Sequence, residues 1–134
     1  LIMWKFCGVI KNEKLLSEGL TKIESIKNKL NDIDVRIDKF NCEDLALIFD
    51  LQSSLISAEA TVISALERNE SRGAHQRSDF PNIDNGCEFN GIVSMDKNSN
   101  LKISKTPLKL LNEKLKKIIS NATREEDIKD KLLE

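Results

Sequence analysis

The feature that most constrains this chain is a long run of apolar side chains, repeated at helical spacing between Asn41 and Arg72. A helix over this run would be roughly 45 Å long. Its middle is weakly polar, which predicts a central helix contacted by neighbours on more than one side. Glu59 lies inside the run and is expected either to face water or to pair with a buried cation. Gly73 is predicted to end the helix, because glycine adopts the left-handed conformation at little cost. The apolar stripe consists of Leu45, Ile48, Leu51, Leu55, Ile56, Val62, Ile63 and Leu66.

Two shorter helices are predicted before the central one. Residues 1–10 are almost continuously apolar, which predicts a short helix buried on most sides, with Trp4 and Phe6 as core anchors. Asn12 is the predicted N-cap of an amphipathic helix whose apolar positions continue to Leu30. Three helices of this kind predict a mainly α fold. We expect an up-down three-helix bundle, similar to a spectrin repeat, with the longest helix at its centre.

A short β-hairpin and a C-terminal helical segment are predicted after the bundle. Two strand candidates, residues 88–96 and 101–104, follow a turn-rich stretch. Helical periodicity resumes at Thr106 and continues toward the C-terminus. Thr123 and Glu126 have the spacing of a capping box, which predicts a further helix start.

Length and composition limit the possible functions. A chain of 134 residues fits one domain. We divide it into a helical bundle over residues 1–81 and a C-terminal extension of the same domain over residues 82–134. Charged residues make up 32% of the chain, aromatic residues only 4%, and the net charge is −1. This balance argues against a nucleic-acid partner. No apolar run approaches the length of a membrane span, so we expect no direct membrane insertion.

The three cysteines, Cys7, Cys42 and Cys87, lie far apart and lack C-x-x-C spacing. This spacing does not predict a metal site or a secreted disulfide framework, and is typical of idle thiols in a reducing compartment. The N-terminus lacks the basic leader and cleavage site of a secretory signal, so we expect a cytoplasmic location. Because the chain opens on Leu1 within a predicted helix, we also expect a fragment of a longer protein.

Six charged or titratable side chains are concentrated around the predicted end of the central helix. Their charges nearly cancel, which favours directional ion pairs over a solvated basic patch. In one interpretation, Arg68 and Arg72 share a helix face and stabilise the helix C-terminus through its macrodipole. In the other, the cluster clamps this domain to another domain or subunit. A histidine beside arginines is a poor proton acceptor, so a structural or interface role is favoured for His75. The candidate contact residues are Arg68, Glu70, Arg72, His75, Arg77 and Asp79.

The same cluster lies in residues 70–81, which read E-S-R-G-A-H-Q-R-S-D-F-P. This stretch resembles the E-S-R-G-x-H-x-R-x-D-[YF]-P segment of the succinate dehydrogenase/fumarate reductase flavoprotein family, which includes L-aspartate oxidase. In that family the segment follows the longest helix of the C-terminal helical domain. Residues 3–12 resemble the family's M-W-x-x-x-G-[VI]-x-R-[ND] opening, with Lys11 where arginine is usual. Residues 55–68 are similar to its A-E…A-L-x-R helix.

The resemblance implies a function for a longer parent protein. Such flavoproteins interconvert succinate and fumarate through FAD and pass electrons to iron–sulfur centres and quinone. It implies FAD in the parent but no cofactor in this chain, which lacks the G-x-G-x-x-G fingerprint. No residue of this chain is assigned a catalytic, cofactor-binding or metal-binding role.

The implied partners are the flavin-binding domain of the same polypeptide and an iron–sulfur subunit. Partner subunits could hold the protein at the cytoplasmic face of a membrane. The domain itself would brace the flavin domain and shape a surface for partners. Two alternatives stay open: the C-terminal domain of L-aspartate oxidase, and a stand-alone helical interaction module.

Overall fold

A computed structural model of the chain describes residues 1–37, 42–109 and 112–115. The fold is mainly helical, with one long central helix followed by a small antiparallel strand pair, which confirms the predicted class. In chain order, the elements are α1 (Ile2–Phe6), β1 (Ile10–Lys11), α2 (Glu13–Lys29), α3 (Glu43–Glu67), β2 (Gln76–Arg77), β3 (Phe89–Met95) and β4 (Leu101–Pro107). Short 3₁₀ turns lie at Leu30–Asp32 and Asn85–Cys87.

Helix α2 forms where the sequence predicted it, but α1 ends at Phe6, and Ile10, predicted to be helical, begins β1. The prediction that the first helix is buried on most sides is also wrong, because Phe6 is its one buried residue. Asn12 caps α2, because its side-chain oxygen accepts a hydrogen bond from the backbone of Leu15 at 2.8 Å. Gly19 lets α1 approach α2 closely, since a Cβ at this position would lie only 2.7 Å from the Cβ of Phe6. Phe6 is buried, as predicted, but Trp4 is 80% exposed and is not a core anchor. Over its five residues α1 turns one side toward α2, and Trp4 lies on another.

Helices α2 and α3 pack against each other and form the core. Burying each large aliphatic side chain contributes about 1.5–3 kcal/mol. Near the far end of α2, Lys27 Nζ lies 2.6 Å from Glu59 Oε2. Glu59 therefore pairs with a cation, as the second of its two predicted roles has it, but this cation is not buried, because the Lys27 side chain is 31% exposed. The buried core cluster consists of Leu16, Ile23, Leu55, Val62 and Ala65.

The central helix ends earlier than the sequence predicted. Its last residue is Glu67, and Arg68 already has extended backbone angles, φ −96° and ψ 101°. Gly73 is therefore not the helix cap. The last turn of α3 is capped instead by Arg77, whose guanidinium donates a hydrogen bond to the Ala65 carbonyl at 2.9 Å. A side chain from later in the sequence thus satisfies a carbonyl that a left-handed glycine would otherwise help to satisfy.

The predicted hairpin is present and packs on α3. Strands β3 and β4 pair antiparallel, from Phe89 opposite Pro107 to Met95 opposite Leu101. The expectation that a helix begins at Thr106 is wrong, because β4 continues to Pro107. Proline is tolerated at such a strand end, where its missing N–H leaves the interior of the ladder intact. The predicted capping box at residues 123–126 lies outside the described residues.

Helix α3 is long and apolar enough to cross a membrane, as judged by length and composition alone, and is the one such helix among the described residues. The expectation that no apolar run approaches that length is therefore wrong. A mostly buried core helix passes the same test, whereas 11% of the apolar window of α3 is buried within the described residues. Here α3 contributes Leu55, Val62 and Ala65 to the core.

Candidate functional site

The candidate site is residues 70–81, called here the signature loop, which follow α3 and return to the start of α2. A tight turn opens the loop, in which the backbones of Arg72 and His75 exchange hydrogen bonds of 2.8 and 3.0 Å. Gly73 is the first central residue of this turn, with φ +56°. The chain then forms β2, which pairs parallel with β1 and places Arg77 opposite Lys11. The loop is thereby held against the N-terminal part of the domain.

Ser71 fixes the loop from inside. This buried hydroxyl donates to the Phe80 carbonyl at 2.8 Å and accepts from the Arg77 backbone N–H at 2.8 Å. The Ser71 backbone N–H donates to the Asn82 carbonyl at 3.0 Å. These contacts span the loop and hold its two ends together within the domain.

Glu70 is the centre of the first ion-pair cluster, and its side chain has no solvent exposure. It accepts hydrogen bonds from Arg68 Nη1, from Arg72 Nε at 3.0 Å and from the Asp84 backbone N–H at 3.0 Å. Led by the hydrogen bond from Arg72, these interactions lower the pKa of the Glu70 carboxyl to about 2, despite an opposing effect of burial. The predicted shared helix face of Arg68 and Arg72 is wrong, because both residues lie beyond α3 and converge on Glu70.

Arg68 also connects the end of α3 to the hairpin. Its guanidinium donates to the Cys87 carbonyl at 3.0 Å and to the Phe89 carbonyl at 2.6 Å. The same group lies 4.7 Å from the centre of the Phe89 ring, within cation–π range. Arg68 therefore connects the end of α3 with the 3₁₀ turn at Asn85–Cys87 and with β3.

Arg77 is the centre of the second cluster and is 2% exposed. Its Nε and Nη2 atoms bind the two carboxylate oxygens of Asp79, each at 2.7 Å. Asp79 in turn accepts from the Glu13 backbone N–H, at the start of α2, at 2.8 Å. Since Arg77 caps α3, the pair places a cation at one helix C-terminus and an anion at another helix N-terminus. The hydrogen bond from Arg77 is the main cause that lowers the pKa of Asp79.

His75 and Lys11 lie between the loop and α3. His75 is half-buried, and its Nε2 atom lies 3.1 Å from the Arg68 carbonyl. Burial lowers the pKa of His75, and the positive charges of Lys11, Arg77 and Arg68 lower it further, against the hydrogen bond to the carbonyl. Lys11 was not among the candidate residues. Its one signal in the sequence is its place in the opening motif, where arginine is usual.

The structure thus brings five of the six candidate residues together in two clusters, and the sixth, His75, lies against the Arg68 carbonyl. The bonds described above lie within the domain. Glu13, Asp84 and Phe89 escaped sequence reasoning because their bonds join positions 14 or more apart in the chain. Ser71 lies in the motif but was not predicted to contribute, since its role depends on how the loop folds back to Phe80. Across the described residues, every buried side-chain nitrogen or oxygen has a hydrogen-bond partner. A carboxylate and guanidinium groups bonded in this way are suited to holding a shape, and their protons are not poised for transfer.

The described residues hold no group of three or more His, Cys, Asp or Glu side chains that could bind a metal ion. All three cysteines are free, with Cys7 and Cys87 half-buried and Cys42 exposed. Burial raises the pKa of the Cys7 and Cys87 thiols.

Comparison with known proteins identifies the family. The model for the fumarate reductase flavoprotein C-terminus matches residues 1–125. An uncharacterized FAD-dependent oxidoreductase from Methanocaldococcus jannaschii is 35% identical over 92 residues, which are 69% of this chain and 16% of that protein. The succinate dehydrogenase flavoprotein subunit of Rickettsia felis is 38% identical over 87 residues, covering 63% of this chain and 14% of that protein. L-Aspartate oxidase from Pyrococcus horikoshii is 34% identical over 80 residues, covering 60% of this chain and 12% of that protein.

A solved structure has the same fold. A mutant E. coli quinol fumarate reductase superposes with a TM-score of 0.74 at 23% identity, over 82% of this chain and 20% of that one. The chain spans only 12–16% of the length of the curated relatives described above. The resemblance noted in residues 3–12, 55–68 and 70–81 is confirmed. With residues 1–125 matched, the chain belongs to the family of C-terminal domains of fumarate reductase and succinate dehydrogenase flavoproteins.

Proposed function

We propose that this domain is part of an FAD-dependent flavoprotein that interconverts succinate and fumarate, and that it braces the flavin-binding domain without taking part in the chemistry. The family match over residues 1–125 supports the parent activity. In such a parent, FAD bound in the flavin-binding domain would supply the hydride-transfer chemistry. The residues of this chain then contribute rigidity and a docking surface.

The observation that supports the bracing role most directly is that the charged side chains of the signature loop are bonded to partners within the domain. Glu70 is fully buried between two guanidinium groups, and Arg77 is bound at once to Asp79 and to the end of α3. A loop ordered by its own bonds loses little conformational entropy when a partner binds, so more of the contact energy is retained as affinity. This is the property that an interdomain brace requires.

We assign different parts to the six candidate residues within this brace. The Arg72 side chain is 43% exposed, and His75 is half-buried. These two are the proposed contacts with the flavin-binding domain. Arg68, Glu70, Arg77 and Asp79 are positioning residues that hold the contacts in place.

We further propose that the parent associates with an iron–sulfur subunit and is held peripherally at the cytoplasmic face of a membrane through its partner subunits. The names of the relatives support a flavoprotein subunit, since one is called the succinate dehydrogenase flavoprotein subunit. A second candidate function is that of the C-terminal domain of L-aspartate oxidase. The 34% identical relative from P. horikoshii favours keeping this candidate.

The test compares the isolated chain with the full-length protein. We expect the full-length protein to hold stoichiometric FAD and to reduce an artificial electron acceptor with succinate, and the isolated chain to be colourless and inactive. Oxidation of aspartate in place of succinate would select the second candidate. A full-length protein without flavin would contradict the proposal, and so would stoichiometric flavin on the isolated chain.

The bracing role is tested by Arg72→Ala. This variant should lower the temperature of flavin release from the full-length protein more than it lowers the melting temperature of the isolated chain. Arg36→Ala, an exposed arginine in the connection between α2 and α3, is the matched control. Equal losses in both settings would show that Arg72 acts only within the domain.

A further inference from the structure

We propose that a basic hollow beside the signature loop is the docking site for an acidic side chain of the flavin-binding domain of the same polypeptide. This inference rests on the function proposed above and names the surface through which the brace acts. The hollow has a volume of about 460 Å³ and opens between β1, α3 and the loop. The residues that matter for the argument are Lys11, Thr61, Ser64, Arg68 and His75.

The uncompensated charge in the hollow is that of Lys11. Arg68 and Arg72 share Glu70, and Arg77 is paired with Asp79. Lys11 Nζ donates only to the Val9 carbonyl, at 3.2 Å, and no carboxylate among the described residues forms an ion pair with it. The Lys11 residue is half-buried, but its ammonium group is exposed. An exposed ammonium group held beside other cations attracts a carboxylate from outside the domain.

The rest of the lining supports the same partner chemistry. His75 lies in the field of Lys11, Arg77 and Arg68, whose charges all act on it with the same sign. The Thr61 and Ser64 hydroxyls donate to carbonyls of their own helix, each at 2.7 Å. Among the described residues of the lining, Lys11 is the cation without a carboxylate partner, and the small side chains on α3 leave room for one.

An apolar margin beside Lys11 indicates a protein partner instead of a small free acid. Val9 and Ile10 are each 68% exposed, although both are aliphatic and lie in or beside β1. Exposed apolar side chains next to a specific charge are the composition of a protein interface. Most of the length of the curated relatives lies outside the region that matches this chain. A parent of similar length would have enough further chain to supply the carboxylate that docks here. The surface thus suits a carboxylate flanked by apolar side chains.

The direct test is zero-length cross-linking of the full-length flavoprotein with a carbodiimide, which joins an amine to a carboxylate in contact with it. We expect mass spectrometry to find Lys11 linked to an Asp or Glu of the flavin-binding domain. Lys22, exposed on α2, is the control and should form no such link. Lys11→Arg should remove the cross-link and leave flavin content and domain packing intact.

Charge reversal gives an independent readout. Lys11→Glu should speed amide hydrogen exchange at residues 9–11 of the full-length protein by about tenfold or more, and Lys22→Glu by less than about twofold. The proposal is overturned if Lys11 forms no link and reacts with acylating reagents as fast as Lys22. It is also overturned if the linked carboxylate belongs to an iron–sulfur subunit. Absence of flavin would defeat the proposed function instead, because the cross-link reports on domain contact alone.

Discussion

The signature loop and the β3–β4 hairpin both follow α3 and both carry ion pairs, but they use them differently. In the loop, the side chains of Glu70 and Arg77 are 0% and 1% exposed. In the hairpin, Lys102 Nζ lies 3.4 Å from Asp96, and the two side chains are 70% and 27% exposed. Water screens the hairpin pair, whereas the loop pairs are shielded and bonded on several sides. Similar residue types therefore connect parts of the fold in the signature loop, whereas in the hairpin they form an exposed ion pair.

The two regions also differ in what holds their shape. The hairpin relies on a regular backbone ladder between β3 and β4. The loop has a two-residue parallel pairing with β1 and a few isolated backbone hydrogen bonds, such as those between Arg72 and His75. Much of its remaining order comes from buried side chains bonded to backbone groups and to each other. Side-chain substitutions should therefore damage the loop far more than the hairpin.

The largest effect is expected for Arg77→Met. This change removes the cap of α3 and leaves Asp79 without its cation. Breaking a fully buried pair from one side costs about 3 kcal/mol or more, and we expect about 2 kcal/mol here because the Asp79 side chain is 27% exposed and can regain water. The measurement is the free energy of unfolding of the domain by urea denaturation, with Arg36→Met as an exposed control. A loss of unfolding free energy below about 1 kcal/mol would show that Arg77 contributes no more than an exposed surface ion pair does.

Acid should weaken the loop next. The pKa of Glu70 is about 2 in the fold against an ordinary value of 4.5. Its carboxylate therefore adds stability above about pH 4.5, and that contribution is lost as the pH falls toward about 2. We expect the unfolding free energy to fall over this range, and to fall less steeply in Glu70→Gln. If the unfolding free energy of the unmodified protein and that of Glu70→Gln fell equally over this pH range, the proposed role of Glu70 would be contradicted.

Gly73→Val should cost about 1 kcal/mol or more, because a β-branched residue resists the positive φ of this turn. No atom lies within 4 Å of a Cβ built at Gly73, so the cost is conformational and not a steric clash with neighbours. Gly73→Asn is the matched control, since asparagine tolerates the left-handed region. Equal unfolding free energies for the two variants would show that the turn can relax.

The smallest effect is expected in the hairpin. Lys102→Ala removes an exposed pair, and such pairs contribute roughly 0–1 kcal/mol. The change in unfolding free energy should stay below about 0.5 kcal/mol. A loss as large as that of Arg77→Met would erase the contrast between the two regions.

Local patterns predicted much of the fold. Apolar periodicity predicted α2 and the start of α3. Asn12 was recognisable as the N-cap of α2 because an N-cap bond joins residues only three positions apart. The end of α3 could not be predicted in this way. It depends on Arg77, whose contact with Ala65 spans 12 positions. The bond from Glu13 to Asp79 spans 66 positions, and no local pattern records it.

The candidate site was predicted as a set of residues but not as an arrangement. The sequence grouped the charges of the motif correctly, yet it placed Arg68 and Arg72 on a helix. Their actual convergence on Glu70 depends on the early end of α3 and on Asp84, which supplies a backbone donor. The prediction that Trp4 lies in the core was wrong, because hydrophobicity alone does not reveal which side of a short helix packs against its neighbouring helix.

The central claim is that the charges of the signature loop are joined to each other inside this domain. A double-mutant cycle with Arg77→Met and Asp79→Asn tests it most directly, using unfolding free energies of the two single variants and the double variant. The account predicts a coupling energy of about 1 kcal/mol or more between the two side chains. Additive losses, with a coupling below about 0.3 kcal/mol, would contradict it.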